Sequence, residues 1–96
     1  MRVKEEIERR LSDGLQPDEL SVVDESHRHA GHAGARPEGE SHFRVRIVAA
    51  AFAGRTRIER QRMVYAALGD LMRSDVHALA LTALTPADVA AADRGT

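Results

Sequence analysis

The chain has no cysteine among its 96 residues. That excludes disulfides, thiol nucleophiles, and any thiolate cluster or zinc ribbon held by this protein alone. A metal it handles must be met by histidine and carboxylate, or shared with a partner that brings sulfur. Tryptophan is absent and the aromatics reduce to Phe43, Phe52 and Tyr65, so the core must be built from Val, Ile, Leu, Met and Ala. The longest unbroken apolar run, Ile47 to Ala53, has seven residues, where a bilayer span needs about 20. No membrane role is expected. The opening residues include Glu5, Glu6 and Glu8 and lack an apolar signal core, which makes the cytoplasm the expected address. Fifteen acids against fourteen Lys and Arg leave a net charge of −1, too little for coating nucleic acid by bulk attraction.

What is present is unevenly distributed. Arg44, Arg46, Arg55, Arg57, Arg60 and Arg62 face one acid in the same stretch, Glu59, a local excess of five positive charges (six minus one). The rest of the chain therefore carries the opposite sign, and the sequence predicts a molecule with one basic face. Its length and 43% apolar content suit a single domain over residues 1–96 with an ordered core at about 3–89.

Val3, Ile7, Leu11 and Leu15 recur at helical spacing, with Glu5/Arg9 and Glu6/Arg10 as i,i+4 pairs on the side expected to be exposed. A helix over residues 2–15 follows, with Gly14 as its stop and Pro17 preventing continuation. Leu20 to Ser26 reads as a short strand. From His27 to Glu40 the chain is rich in glycine and alanine, contains Pro37 and has no periodicity. A flexible loop is expected there, of the length that compact domains keep for function. His42 to Val48 alternates, with Phe43, Val45 and Ile47 on one face and His42, Arg44 and Arg46 on the other. Gly54 supplies a turn. A second helix over about 57–72 buries Val64, Leu68, Leu71 and Met72, and a third strand over Val76 to Ala83 places His77, Leu79 and Leu81 on one face. Thr85, Pro86 and Asp88 then form a helix start with Thr at N-cap, Pro at N1 and an acid at N3. The expected order is α-β-β-α-β-α, a two-layer α+β sandwich with helix 2 as the crossover between strands 2 and 3.

Six short pieces in this order carry a resemblance: Asp24-Glu25-Ser26, Glu40-Ser41-His42-Phe43, Phe52-x-Gly54, Arg60-x-Arg62-x-Val64-Tyr65, Val76-His77-Ala78-Leu79 and Thr85-Pro86. Over residues 3 to 89 the chain resembles the BolA family. The resemblance implies a three-stranded mixed sheet under helices, similar to the class II KH fold. It also implies pairing with a monothiol glutaredoxin, the two proteins sharing a [2Fe–2S] cluster. In that arrangement the glutaredoxin cysteine and glutathione hold one iron. A histidine matching His77 and a second ligand from the loop between strands 1 and 2 hold the other. His32 and His29 are the leading candidates for that second ligand, with His42 as a third. Taken alone, His77 reads as a half-buried histidine packed with Leu79 and Leu81; the resemblance reverses that preference. His27, His29 and His32 are also close enough in sequence for an adventitious zinc or nickel site. Without its partner the chain is expected to be colourless, and to be a monomer or weak dimer.

Some BolA-like proteins resemble transcriptional regulators, which gives the arginines a competing role. KH-like folds approach single strands through a Gly-x-x-Gly loop. The corresponding turn here is Gly54-Arg55-Thr56-Arg57, with the second glycine missing, and stacking aromatics are absent. Duplex DNA contacted by Arg55, Arg57, Arg60 and Arg62 stays open, as does docking of glutathione or an acidic partner on the same residues, and so does a merely solvated basic face. Catalysis is not expected. Ser26-His27 and Ser41-His42 are sequence neighbours that would point apart in extended chain, and no nucleophile elbow, Walker or dinucleotide motif is present.

Overall fold

The structure, a computed structural model, describes residues 3–25, 42–74, 76 and 78–94. The elements run α1 (Val3–Leu15), β1 (Glu19–Asp24), β2 (His42–Val48), a 3₁₀ turn (Ala50–Phe52), α2 (Arg57–Leu68), α3 (Leu71–Ser74), β3 (Ala78–Leu84) and α4 (Pro86–Arg94). β1 pairs antiparallel with β2, and β2 pairs parallel with β3, in the order β1-β2-β3. The parallel pair requires a crossover, and α2 with α3 supplies it. The expected α+β order and mixed three-stranded sheet are therefore the ones found.

The alternation in β2 works as read. Phe43, Val45 and Ile47 are buried, while Arg44 and Arg46 are exposed. They meet Ile7 and Leu11 of α1, Val64 and Leu68 of α2, Leu71 of α3 and Phe52 in one apolar cluster between sheet and helices. Two helices start on reciprocal caps. The Glu59 N–H donates to Thr56 Oγ1 (3.1 Å) while Glu59 Oε1 accepts from the Thr56 N–H (2.8 Å), and Thr85 and Asp88 repeat the pattern at the start of α4, both at 3.0 Å. Each box satisfies two otherwise orphaned donors.

Glu6 departs from expectation. It lies on the flank of the apolar stripe rather than on the exposed side, with 7% of its side chain accessible. Its carboxylate is held by the guanidinium of Arg9 and by Arg10 Nε at 2.7 Å. Arg9 thus turns to Glu6 and Asp13 instead of Glu5. Arg10 reaches on to the Leu68 carbonyl (2.6 Å) and to Asp70 (3.2 Å), tying α1 to the end of α2.

Gly14 is inside α1 and does not end it. A Cβ there would meet the Cβ of Ala67 at 3.3 Å, so the glycine lets α1 and α2 approach. The left-handed residue after the helix is Gln16, with φ 47°. The second helix stops at Leu68 and not at Met72, because Gly69 adopts φ 59° and ψ −130° and the chain restarts as α3. β1 begins one residue earlier than expected, at Glu19, and β3 runs Ala78–Leu84 rather than from Val76. Val76 is buried, and its N–H donates to the Leu71 carbonyl at 2.9 Å, which holds it to the crossover instead of the sheet.

Candidate functional site

Two regions bear on the expected chemistry. The first is the sheet end where β1 finishes and β2 and β3 both begin. His42 pairs in register with Ala78, and the Glu25 N–H donates to the His42 carbonyl at 2.8 Å, extending the β1–β2 ladder beyond Asp24. His42 is half-buried, at the first position of the central strand. His77 follows buried Val76 and precedes Ala78 in the chain, but itself lies outside the described residues, as do His27, His29, His32 and the whole expected loop 27–40. Among the described residues, no group of three or more His, Asp or Glu is placed to hold a metal ion. The chain itself offers no thiolate ligand.

The second region is the arginine-rich stretch, where the expected basic face is much reduced. Arg44 Nε lies 2.9 Å from Glu25 and Arg46 Nη1 lies 3.0 Å from Glu19. The antiparallel register sets Arg44 opposite Val23 and Arg46 opposite Ser21, so each acid is the diagonal cross-strand neighbour of its arginine. Arg60 Nη1 lies 2.9 Å from Asp88 and its Nε donates to the Arg55 carbonyl at 3.0 Å. Only 18% of the Arg60 side chain is accessible, so among the four arginines expected at a docking surface it is the one engaged in an ion pair among the described residues. Arg55, Arg57 and Arg62 are exposed and form no ion pair with a described residue.

Arg57 enters α2 directly after the turn at Gly54, whose φ of 75° is the left-handed conformation that glycine adopts without penalty. Together with Arg60 and Gln61 it walls a groove of about 370 Å³ whose floor is Leu79, Leu81, Thr82 and Ala83 of β3. Sequence reading missed this groove. The half-burial of Leu79 and Leu81 depends on how far α2 covers the sheet, and no local pattern encodes that.

The pKa shifts of the described acids are structural in origin. The Thr56 backbone N–H first, and nearby arginines last, hold the Glu59 carboxyl below its ordinary range. The Thr85 N–H first, then Arg60, do the same for Asp88.

No helix among the described residues is long and apolar enough to cross a membrane. Residues 11–88 match the family model described as BolA-like protein. Over 93 residues the chain is 44% identical to SufE-like protein 1, chloroplastic/mitochondrial, of Arabidopsis thaliana, covering 93% of this chain and 24% of that protein. It is also 44% identical to the DNA-binding transcriptional regulator BolA of Escherichia coli (strain K12), covering 88% of this chain and 77% of that one. The solved BolA domain of SufE1 from Arabidopsis thaliana superimposes with a TM-score of 0.76 at 43% identity, covering 88% of this chain and 92% of the domain. On the match of its central 11–88 segment and the identity of its fold with a solved BolA domain, the chain belongs to the BolA family.

Proposed function

We propose that this BolA-family protein is a non-enzymatic partner of a monothiol glutaredoxin, sharing a [2Fe–2S] cluster in its assembly, transfer or sensing. The observation that supports the reading is the convergence at one sheet end of Glu25, His42 and Ala78. The chain bearing His29 and His32 departs after Glu25 and returns at His42, and His77 directly precedes Ala78, so sequence far apart is joined to one rim. The cluster, when shared, supplies two irons, one of which takes sulfur ligands from glutaredoxin and glutathione. This chain's part is to offer neutral imidazole, His77 first, then His29 or His32, with His42 as third candidate. The β2–β3 pairing holds the base of that rim rigid, which favours ligands on adjoining chain. Imidazole in place of thiolate removes negative charge and raises the reduction potential.

The test is co-expression with a monothiol glutaredoxin, followed by visible absorption and circular dichroism of the purified pair. A reddish heterodimer is expected, and His77→Ala is expected to change its spectrum. An identical spectrum in the variant counts against the role of His77, and a colourless mixture counts against the sharing.

A second reading, duplex DNA binding and transcriptional regulation, is favoured by the name of the Escherichia coli relative and by Arg55, Arg57 and Arg62, which are exposed and form no ion pair with a described residue. Retardation of a random duplex at physiological ionic strength, weakening steeply with added salt, would support it. Absence of any shift would remove it.

A further inference from the structure

We propose that the free edge of β3 is a strand-addition site for an extended acidic peptide segment of a partner protein. The inference does not depend on cluster sharing, because it uses neither the sheet end nor any histidine. Among the described residues β3 is bonded to β2 alone, so one side of it is an unpaired edge. The phase of that edge follows from one bond: the Ala49 N–H donates to the Leu84 carbonyl at 2.9 Å, which directs the backbone groups of Leu84 toward β2. In a strand these directions alternate. The N–H and C=O groups of Leu79, Leu81 and Ala83 therefore face outward. Arg60 Nη1 lies 3.2 Å from the Ala83 carbonyl, in agreement with that phase, and stops the edge at this end. Leu79 and Leu81 have no outward backbone partner among the described residues.

Protein edges are normally blunted by lysine, proline, a bulge or inward-facing charge. β3, with the sequence Ala-Leu-Ala-Leu-Thr-Ala-Leu, has no charge and no proline over seven residues. α2 does not close over it and leaves the groove beside Leu79 and Leu81. An added strand would bond to the outward groups and set alternate apolar side chains into that groove, the geometry of β-augmentation.

The charge of the occupant follows from the wall. Arg57 lines the groove without an ion-pair partner among the described residues, with Arg55 and Arg62 nearby on the same turn and helix. The acid beside them, Glu59, is engaged with the Thr56 N–H. A carboxylate on the same face of the incoming strand as those apolar side chains would meet Arg57. A second copy of this chain would instead bring another set of the same arginines to the seam. A single-stranded nucleic acid would find no aromatic side chain among the groove residues to stack on.

The probe is a capped hexapeptide with Val at positions 2 and 4 and Glu at position 6, which share one strand face, and Thr between them, titrated into the isotopically labelled full chain and read by amide hydrogen exchange and backbone chemical shifts. Slowed exchange at Leu79 and Leu81 is expected. The same peptide N-methylated at alternate amides, placed to remove its inward-facing donors, is expected to lose that effect. Arg57→Glu is expected to weaken binding roughly tenfold or more, the loss of one charge-assisted contact. An acid at the first helical position favours α2, so that variant keeps its fold, which circular dichroism verifies. The N-methyl comparison on the unaltered chain decides the question independently. The proposal is overturned by no protection at millimolar peptide, by binding indifferent to N-methylation, by protection from oligo(dT) in place of the peptide, or by a concentration-dependent dimer that protects the same amides alone.

Discussion

Arg60 and Asp88, 28 residues apart in sequence, are joined through Arg60 Nη1 and Asp88 Oδ2 at 2.9 Å. The same Asp88 oxygen accepts the Thr85 N–H that caps α4, and the same arginine nitrogen reaches the last outward carbonyl of β3. One guanidinium thus ties α2 to both the edge strand and the terminal helix, and its hydrogen-bonding groups are engaged within the fold.

Removing it should therefore cost stability. Arg60→Ala strands a partly buried carbonyl and an acid and is expected to destabilise by about 1–3 kcal/mol. Arg57→Ala and Arg62→Ala, which remove exposed side chains with no ion-pair partner among the described residues, are expected to stay within about 0.5 kcal/mol of the parent. Urea unfolding of the three variants distinguishes a structural arginine from two surface ones. Equal midpoints would contradict the assignment.

Glu6 sets a pH dependence. Hydrogen bonds from Arg9, then Arg10, lower its pKa from 4.5 to about 2. Because the folded value lies below the unfolded one, the native state favours the carboxylate. Its contribution is fully present above about pH 4.5 and is lost as pH falls toward 2. Glu6→Gln should be less stable than the parent at neutral pH, with the difference shrinking through that window. Urea midpoints measured from pH 7 down to pH 2 check this, and a constant difference would refute it.

Gly54 tests backbone conformation in isolation. Its φ is 75° and a Cβ would meet nothing within 4 Å, so Gly54→Ala adds strain without a clash. A loss of about 1–2 kcal/mol is expected. An unchanged melting profile would mean that the turn relaxes to another conformation at no cost.

The cap of α2 should matter to a similar degree. Thr56→Ala leaves the Glu59 N–H without its side-chain acceptor and is expected to destabilise by about 1 kcal/mol. Thr56→Ser, which keeps the hydroxyl, should recover most of that loss in the same denaturation assay.

How far the sequence spoke for itself depended on the range of the interaction concerned. The apolar stripe of α1, the alternation of β2 and the Thr85-Pro86-Asp88 start of α4 are set by residues within a few positions of each other. The backbone periods of helix and strand convert such spacing directly into faces and caps, so these elements and their order were determined before any folding. Matters that join distant segments were not. Gly14 read as a stop because glycine breaks helices in isolation, whereas α2 needed its missing side chain. Glu6 read as exposed because helical spacing alone does not say how wide the buried face will be. The arginine stretch read as a basic face because charges add along a chain, whereas the β1–β2 register and the return of α4 to α2 bring Glu19, Glu25 and Asp88 to three of those arginines. Burial, charge compensation and the uncovered edge of β3 depend on which segments come to lie side by side, and that was decided only when α1, α2 and the sheet packed around one core.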